Sequence, residues 1–483
     1  MAPTHGSTAQ SASYKEIAGG TGRIFRVGET SQDILGRSRN YMVYLPWIAM
    51  MAAGIYEYAY GSAVDTLQSA YGWSDTTTFM FSAIWGLFQA GIALPAGQLR
   101  EKNIVSARTA MLFGALFCGI GLITLGNTSN IAINIIGFGL IGGTGAGLVY
   151  ATCINMVSKW FPEKKGARVG FVNGGFAYGS IPFIIIFNYW FTVGDHSWVL
   201  DLMGVFVILV IGACAVFFKD PPKNWWPKEV DPTNWESNAG AAKRNLKKNP
   251  PAAKQFTWGE AMRRWQMYAM WGALVLTSGV SFFGISFESH YAKDLGWAAF
   301  VATVSAVLLA LINGVGRAIV GWSSDLIGRK QTLVAICVIL GLAQWGTVWA
   351  GSSHNEILFF VFAIISGFGG GAFYPMFAMM TPDYFGENYN ASNYGTIYSG
   401  KLVGVFFAPL GAAFVTANGY TATYILAGAI GLLSALLVLT LRPPKIDAGT
   451  VSVPAQGPSG ATASVPTQAA VPDDPAKSVV SEE

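Results

Sequence analysis

Charge is scarce in this chain. Asp, Glu, Lys and Arg make up 12% of its 483 residues, about half the ~25% of ordinary soluble proteins. A solvated globular surface is therefore excluded over most of the length. The formal net charge of +4 is small, and no nucleic-acid partner is expected. Cysteine is sparse too. Cys118, Cys153, Cys214 and Cys337 all fall inside apolar runs, which gives four unpaired thiols and no disulfide framework. The stretch before Tyr41 is polar and basic and lacks the apolar centre of a cleavable signal peptide, so the first apolar run is expected to serve as an uncleaved insertion signal. The short alternating segments of a membrane β-barrel are missing as well.

What the chain has in quantity is continuous apolar sequence: 52% of its residues are hydrophobic, and the mean hydropathy is +0.42. A backbone in lipid must satisfy its own hydrogen bonds, and a helix of about 20 residues crosses the hydrocarbon layer. Twelve such runs occur, at roughly 41–63, 77–99, 107–126, 130–157, 167–191, 198–218, 266–292, 300–323, 331–350, 356–381, 393–416 and 420–441, with boundaries good to about 2–4 residues. The 58 glycines suit close helix packing in membranes. The expected fold is an all-α membrane protein of twelve transmembrane helices in two pseudo-symmetric six-helix bundles.

Lys and Arg choose the orientation. They gather in the N-terminal arm (Lys15, Arg23, Arg26, Arg37, Arg39) and after spans 2, 4 and 8 (Arg100, Lys102; Lys159, Lys164, Lys165; Arg329, Lys330), whereas Lys293 stands alone after span 7. Both termini are thus expected to be cytoplasmic, in a bacterial-type plasma membrane. The loop after span 10 breaks the pattern, carrying Asp383 and Glu387 but no cation. The expected divisions are an N-terminal arm (1–40), a first bundle (41–218), a central loop (219–265), a second bundle (266–441) and a disordered tail (442–483). The central loop, with its prolines and KRNLKK run, reads as a solvated linker, its basic cluster either an ordinary positive-inside loop or a contact for anionic headgroups.

The two halves match at one constant offset. Gly72-Trp73 recurs as Gly296-Trp297. At the same shift Gly97 recurs as Gly321, Gly143, Gly145 and Gly147 as Gly367, Gly369 and Gly371, Tyr150 as Tyr374, Phe161 as Phe385, and Gln89 as the similar Asn313. Parallel six-span repeats joined by a cytoplasmic loop are a transporter architecture, with the substrate between the halves. Two residues depart from the symmetry. Arg317 corresponds to Ala93, and Lys401 to Phe176 or Ala177, so the intramembrane cations belong to the second half alone.

A charge inside a span is costly and usually faces protein or a water-filled cavity. Asn313 and Arg317, four apart, share a face of span 8. Tyr394 and Tyr398 share a face of span 11, with Lys401 a turn beyond. Arg grips a carboxylate bidentately and Lys supplies a mobile point charge, so the pair suits a small organic anion. Snorkelling to the interface or helix bracing is the alternative. Glu57, within span 1, is a candidate proton carrier. It could equally pair with one of the cations or hydrogen-bond a neighbouring helix. Glu288 and His290 read as a wet rim at the outer mouth. The glycine runs IGGTGAG and GFGGG lack the strand and the Lys-Ser/Thr of a nucleotide loop. Neither a metal-ligand spacing nor a nucleophile–base pair stands out, and no cofactor is expected.

The chain resembles the major facilitator superfamily. GWSSDLIGRK, with Gly321, Asp325, Gly328, Arg329 and Lys330, is similar to that family's cytoplasmic loop signature, and GQLREKNIV is its degraded first-half copy. More narrowly, GLVYATCINMVSKWFPEKKGARVGF, NGVGRAIVGWSSDLIGRK and DYFGENYNASNYGTIYSGK resemble the oxalate/formate antiporter family. That resemblance implies that Arg317 and Lys401 bind a dicarboxylate, that Tyr150, Tyr58, Tyr60 and Tyr398 line the cavity, and that Gly367 and Gly371, at positions aromatic in the oxalate transporter, make the cavity roomier. Glu57 stands where that transporter has a neutral amide. Monocarboxylate porters, which are relatives, also use a span-8 arginine but carry an acid where this chain has Asn313. The expected function is secondary transport of small carboxylates by antiport through alternating access, with no enzymatic activity. The alternatives are a proton-coupled monocarboxylate symporter working through Glu57, a membrane-embedded carboxylate sensor, and an integral membrane enzyme. The expected partners are the carboxylate and the bilayer, with the chain monomeric.

Overall fold

The computed structural model describes residues 14–18, 24–101, 104–222, 224–232, 248–250, 252, 254–386 and 389–444. Ten helices among them are long and apolar enough to cross a bilayer: Asp75–Arg100, Ala107–Asn127, Ile131–Trp160, Ala167–Tyr189, His196–Val216, Trp265–Asp294, Ala299–Ser324, Arg329–Ser352, Glu356–Phe385 and Ser392–Thr440. The last has 49 residues. At 1.5 Å per residue that is on the order of 74 Å, more than twice the hydrocarbon thickness. It turns at Gly419, whose φ of 77° and ψ of 169° are open to glycine alone, and so makes two crossings. A further crossing is built from three shorter helices, Tyr41–Ala53, Ile55–Tyr58 and Tyr60–Tyr71. Twelve spans result, numbered 1 to 12 in chain order. Span 1 is the interrupted one, spans 2 to 10 are the first nine helices named above, and spans 11 and 12 flank Gly419.

The repeat is visible in the packing. A Cβ on Gly147 would overlap the carbonyl oxygen of Gln89, and one on Gly371 would overlap that of Asn313. The same holds for Gly143 on Trp85 and Gly367 on Leu309. Span 4 thus touches span 2 through the same pair of glycines that span 10 turns to span 8, where backbones meet because no side chain intervenes. This corrects the expectation for Gly367 and Gly371. They face the span 8 backbone and leave the central space no larger. Between the halves, spans 5 and 8 meet closely enough that a Cβ on Gly174 would stand 2.8 Å from the Gly314 carbonyl oxygen.

Among the described residues, the N-terminal arm and the start of the central loop are held together, in place of the expected solvated linker. Lys15–Ala18 and Ile24–Val27 pair as antiparallel strands β1 and β2, Lys15 opposite Val27. Phe25 packs edge-on against Trp226 at 4.9 Å, and the Trp226 amide donates to the Arg26 carbonyl at 2.9 Å. Trp225 and Trp226 are buried. The start of the central loop is held by the arm because its two tryptophans bury more apolar area than a solvated linker could leave exposed. Residues 243–247 of the basic cluster lie outside the described residues, as does the tail from 445 onward.

At one end of the bundle several cations are paired. Arg100 donates to both oxygens of Asp220 at 2.9 Å, Arg39 pairs with Glu163 at 3.0 Å, and Arg329 pairs with Asp383. The last pair accounts for the acid in the loop after span 10, since Asp383 meets the cation of the loop after span 8. Arg329 also donates to the Met379 carbonyl at 2.9 Å, and its amide donates to Asn249 Oδ1 at 2.7 Å. Gly328, at φ 111°, makes the turn before it. The side chain of Asp325 lies outside the described residues.

Candidate functional site

About two turns before the Ser324 end of span 8, Arg317 reaches into the junction of the two halves and is 2% exposed. Its Nη1 donates to the Asn173 side chain at 2.6 Å and to the Asn173 carbonyl at 3.1 Å. Its Nη2 donates to the Tyr58 hydroxyl oxygen at 2.7 Å and to Asn313 Oδ1 at 2.9 Å, and the Tyr58 hydroxyl in turn donates to Asn313 Oδ1 at 3.0 Å. The i, i+4 spacing places Asn313 and Arg317 on one face, and the fold adds spans 1 and 5 of the other half. Snorkelling does not occur: the guanidinium is committed to neutral partners deep in the protein.

Lys401 lies on span 11, where the helix is interrupted on both sides of a short turn, Lys401–Gly404. Its Nζ donates to Glu57 Oε2 at 3.0 Å and to Gln89 Oε1 at 2.9 Å, above the Phe282 ring at 5.0 Å. Glu57 thus pairs with a cation, one of the roles its sequence left open. Tyr150 stacks on Tyr398 across the halves, with centroids 6.1 Å apart and planes 13° apart. Tyr374 lies beside Tyr398, its ring centroid 5.7 Å from the Arg317 guanidinium and 5.5 Å from Lys401 Nζ.

Several polar hydrogens here are unmet. Arg317 Nε, Asn313 Nδ2 and Gln89 Nε2 are buried with no hydrogen-bond partner among the described residues. The amide orientations follow from chemistry, because an amide oxygen must face the cation that donates to it, which leaves the nitrogen free. All three are donors, so what they lack is an acceptor.

Two sequence expectations are corrected. Tyr60 does not line this site. Its hydroxyl donates to the Thr78 carbonyl at 2.8 Å and its ring lies against Phe138 at 5.5 Å, inside the first half. Residues two apart point about 200° apart around a helix, so Tyr58 and Tyr60 cannot both face the junction. Glu288 is no wet rim: it is 1% exposed and shares the helix face of Gly284, which looks onto Gln344 and Ser366. His290 bonds Asp65 at 2.9 Å, and Lys293 bonds the other Asp65 oxygen at 2.7 Å. With Phe79 stacked on Phe287 at 4.7 Å, these contacts join spans 1 and 2 to span 7 at the end opposite the basic one.

Asn173, Gln89 and Tyr374 complete the arrangement. In the sequence Gln89 and Tyr374 stand out only as repeat partners of Asn313 and Tyr150, and that symmetry is the signal that could have found them. Asn173 carries no such signal.

Twelve spans in two glycine-packed repeats, with a polar cluster enclosed between them, define a membrane transporter fold. The Major Facilitator Superfamily profile matches residues 46–409 and 270–472, and the chain belongs to that superfamily as a multi-pass membrane transporter. It is similar to the oxalate:formate antiporter of Oxalobacter formigenes, 24% identical over 86% of this chain and 93% of the relative. It is also similar to the uncharacterized MFS-type transporter YhjX of Escherichia coli, 26% identical over 74% of this chain and 85% of the relative. Monocarboxylate transporter 12-B of Danio rerio is 25% identical over 72% of this chain and 76% of the relative.

Proposed function

We propose that the chain is a secondary transporter of small carboxylates that works by antiport. The observation that carries this reading is Arg317, a buried guanidinium at the junction of the two halves that bonds, among the described residues, only to neutral groups, with its own Nε and the Nδ2 of its partner Asn313 left unmet. A carboxylate offers acceptors alone and the opposite charge, which is what such a group lacks. The two relatives named for oxalate/formate and for monocarboxylates support the same class. Arg317, Asn313 and Tyr58 hold the anion, Tyr150 and Tyr398 wall it in, and Lys401 and Glu57 set the field around it. Contacts that bridge the halves on either side of this layer support alternating access: Asp65 with His290 and Lys293 towards one end, the Tyr150–Tyr398 stack towards the other.

The positive-inside rule supports a cytoplasmic basic end, in a bacterial-type plasma membrane. A cysteine introduced near Asn127 labels from outside and one near Lys330 does not; the reverse pattern overturns the orientation. The functional test is counterflow of labelled carboxylates in proteoliposomes. Exchange that proceeds without a pH gradient and disappears in Arg317→Gln supports antiport. Uptake that depends on a proton gradient and fails in Glu57→Gln, with exchange intact, supports proton symport instead, a reading the protonatable partner of Lys401 keeps open.

A further inference from the structure

The three charges at the centre of the molecule are not compensated alike. Lys401 has a carboxylate at 3.0 Å, and both side chains of that pair are 3% exposed. Arg317 has no carboxylate partner among the described residues. Its contacts are Asn173, Tyr58 and Asn313, and its Nε is unmet. We propose that the substrate site is a single-charge anion site centred on Arg317, in which Glu57 is a built-in counterion occupying Lys401, so that the substrate is a monocarboxylate and not a dicarboxylate. This rests on the carboxylate-transport reading above and narrows it.

The charge count does not depend on where one proton sits. Whether Lys401 and Glu57 are an ion pair or a neutral pair, together they sum to zero. Arg317 is protonated at any accessible pH, and the cluster therefore carries a single positive charge. A buried charge inside a membrane span is costly until something opposes it. A monoanion brings the cluster to neutrality, whereas a dianion leaves an uncompensated negative charge in the same low-dielectric layer.

The position of Glu57 supports a charge-setting role over a scaffold role. At the offset that relates the halves, its mate in the second half is Ser281, whose hydroxyl bonds the Gly370 carbonyl at 2.7 Å. The repeat thus does not require a carboxylate at this place. Its neighbour Tyr58 has Phe282 as its mate. Tyr58 bonds Arg317 and Phe282 lies under Lys401, so both cations have an aromatic partner from the same repeat position and an amide partner from another, Asn313 and Gln89. Among the described residues only Lys401 is bonded to an acid.

The experiment measures binding of two monocarboxylate probes, formate and acetate, and two dicarboxylate probes, oxalate and malonate, to the purified full-length protein in nanodiscs. Thermal unfolding checks that each variant is folded. The wild type is expected to prefer the monocarboxylates. Glu57→Gln frees Lys401 and is expected to tighten oxalate or malonate by about tenfold or more, the scale of one added charge-assisted bond. Lys401→Gln leaves Glu57 opposing Arg317 and is expected to weaken the monocarboxylates by a similar factor of about ten. The double variant Glu57→Gln with Lys401→Gln restores the single positive charge and is expected to recover most of that loss. A lysine that bound the substrate directly would show no such recovery, and that result overturns the proposal. A wild type that binds the dicarboxylates as tightly as the monocarboxylates, with a ratio unmoved by Glu57→Gln, overturns it too while leaving carboxylate transport standing. A folded wild type that binds none of the four probes overturns the carboxylate reading itself.

Discussion

In the first half of the molecule Gln89 accepts a hydrogen bond from a lysine; in the second half its repeat mate, Asn313, accepts one from an arginine. Both amides sit on a helix that a glycine two spans further on touches at the backbone, Gly147 in one half and Gly371 in the other. The scaffold is therefore duplicated down to the contact. The charges are not: both cations come from the second half, and the acid that answers one of them comes from the first. Glycine contacts and wall aromatics serve packing that each bundle must solve in the same way. A substrate that crosses between unlike halves needs no such symmetry, and the charge can gather where it is used.

The comparison breaks first at Arg317. Arg317→Gln removes the uncompensated cation and is expected to weaken carboxylate binding by about a hundredfold, and Arg317→Lys, which keeps the charge and loses the fork, by about tenfold. Equilibrium binding to folded, inserted variants checks both values. The scaffold itself is tested by Gly147→Ala and Gly371→Ala, each of which is expected to destabilise by about 1–3 kcal/mol through overpacking, with similar losses in melting temperature. Their binding should differ, because a Cβ on Gly371 also overlaps the Asn313 side-chain oxygen. Equal binding in the two variants would mean that Asn313 does not shape the site. Tyr58→Phe removes one neutral hydroxyl from Arg317 and Asn313 and should weaken binding by about two- to tenfold. Asp65→Asn loosens partly exposed pairs and is expected to raise the labelling rate of a cysteine at Ser286, a buried span 7 position whose carbonyl oxygen would lie 2.8 Å from a Cβ on Gly61 of span 1, by about two- to fivefold. The smallest effect belongs to Tyr60→Phe: about 1 kcal/mol of stability lost with its bond to Thr78, and a change in binding of less than twofold.

The amount that was readable in advance differs from residue to residue. Hydropathy marked all twelve spans, including span 1, whose breaks at Gly54 and Ala59 leave no sequence signal as strong as its apolar character. The constant offset showed that Gly147 and Gly371 were equivalent, though not that both were spent on backbone contact. Family likeness at Gly371 pointed towards extra room, and the span 8 backbone fills it. Tyr58 and Tyr60 looked interchangeable in a row of aromatics, and helix geometry separated them. Glu288 looked like a rim residue because it lies near a span end, yet its helix face turns into the second bundle.

Twelve membrane crossings, their arrangement in two related halves and the placing of both deep cations in the second are all legible along the chain. Each of these is a local or periodic property, fixed by hydropathy, by the offset of the repeat and by the identity of single residues. Which cation is neutralised is settled by the packing of the helices. Lys401 meets Glu57 across 344 residues of chain, and Arg317 meets Asn173 across 144. Such partners are chosen when helices from opposite halves close on one another, and no pattern along a single helix records which acceptor will stand beside a given charge.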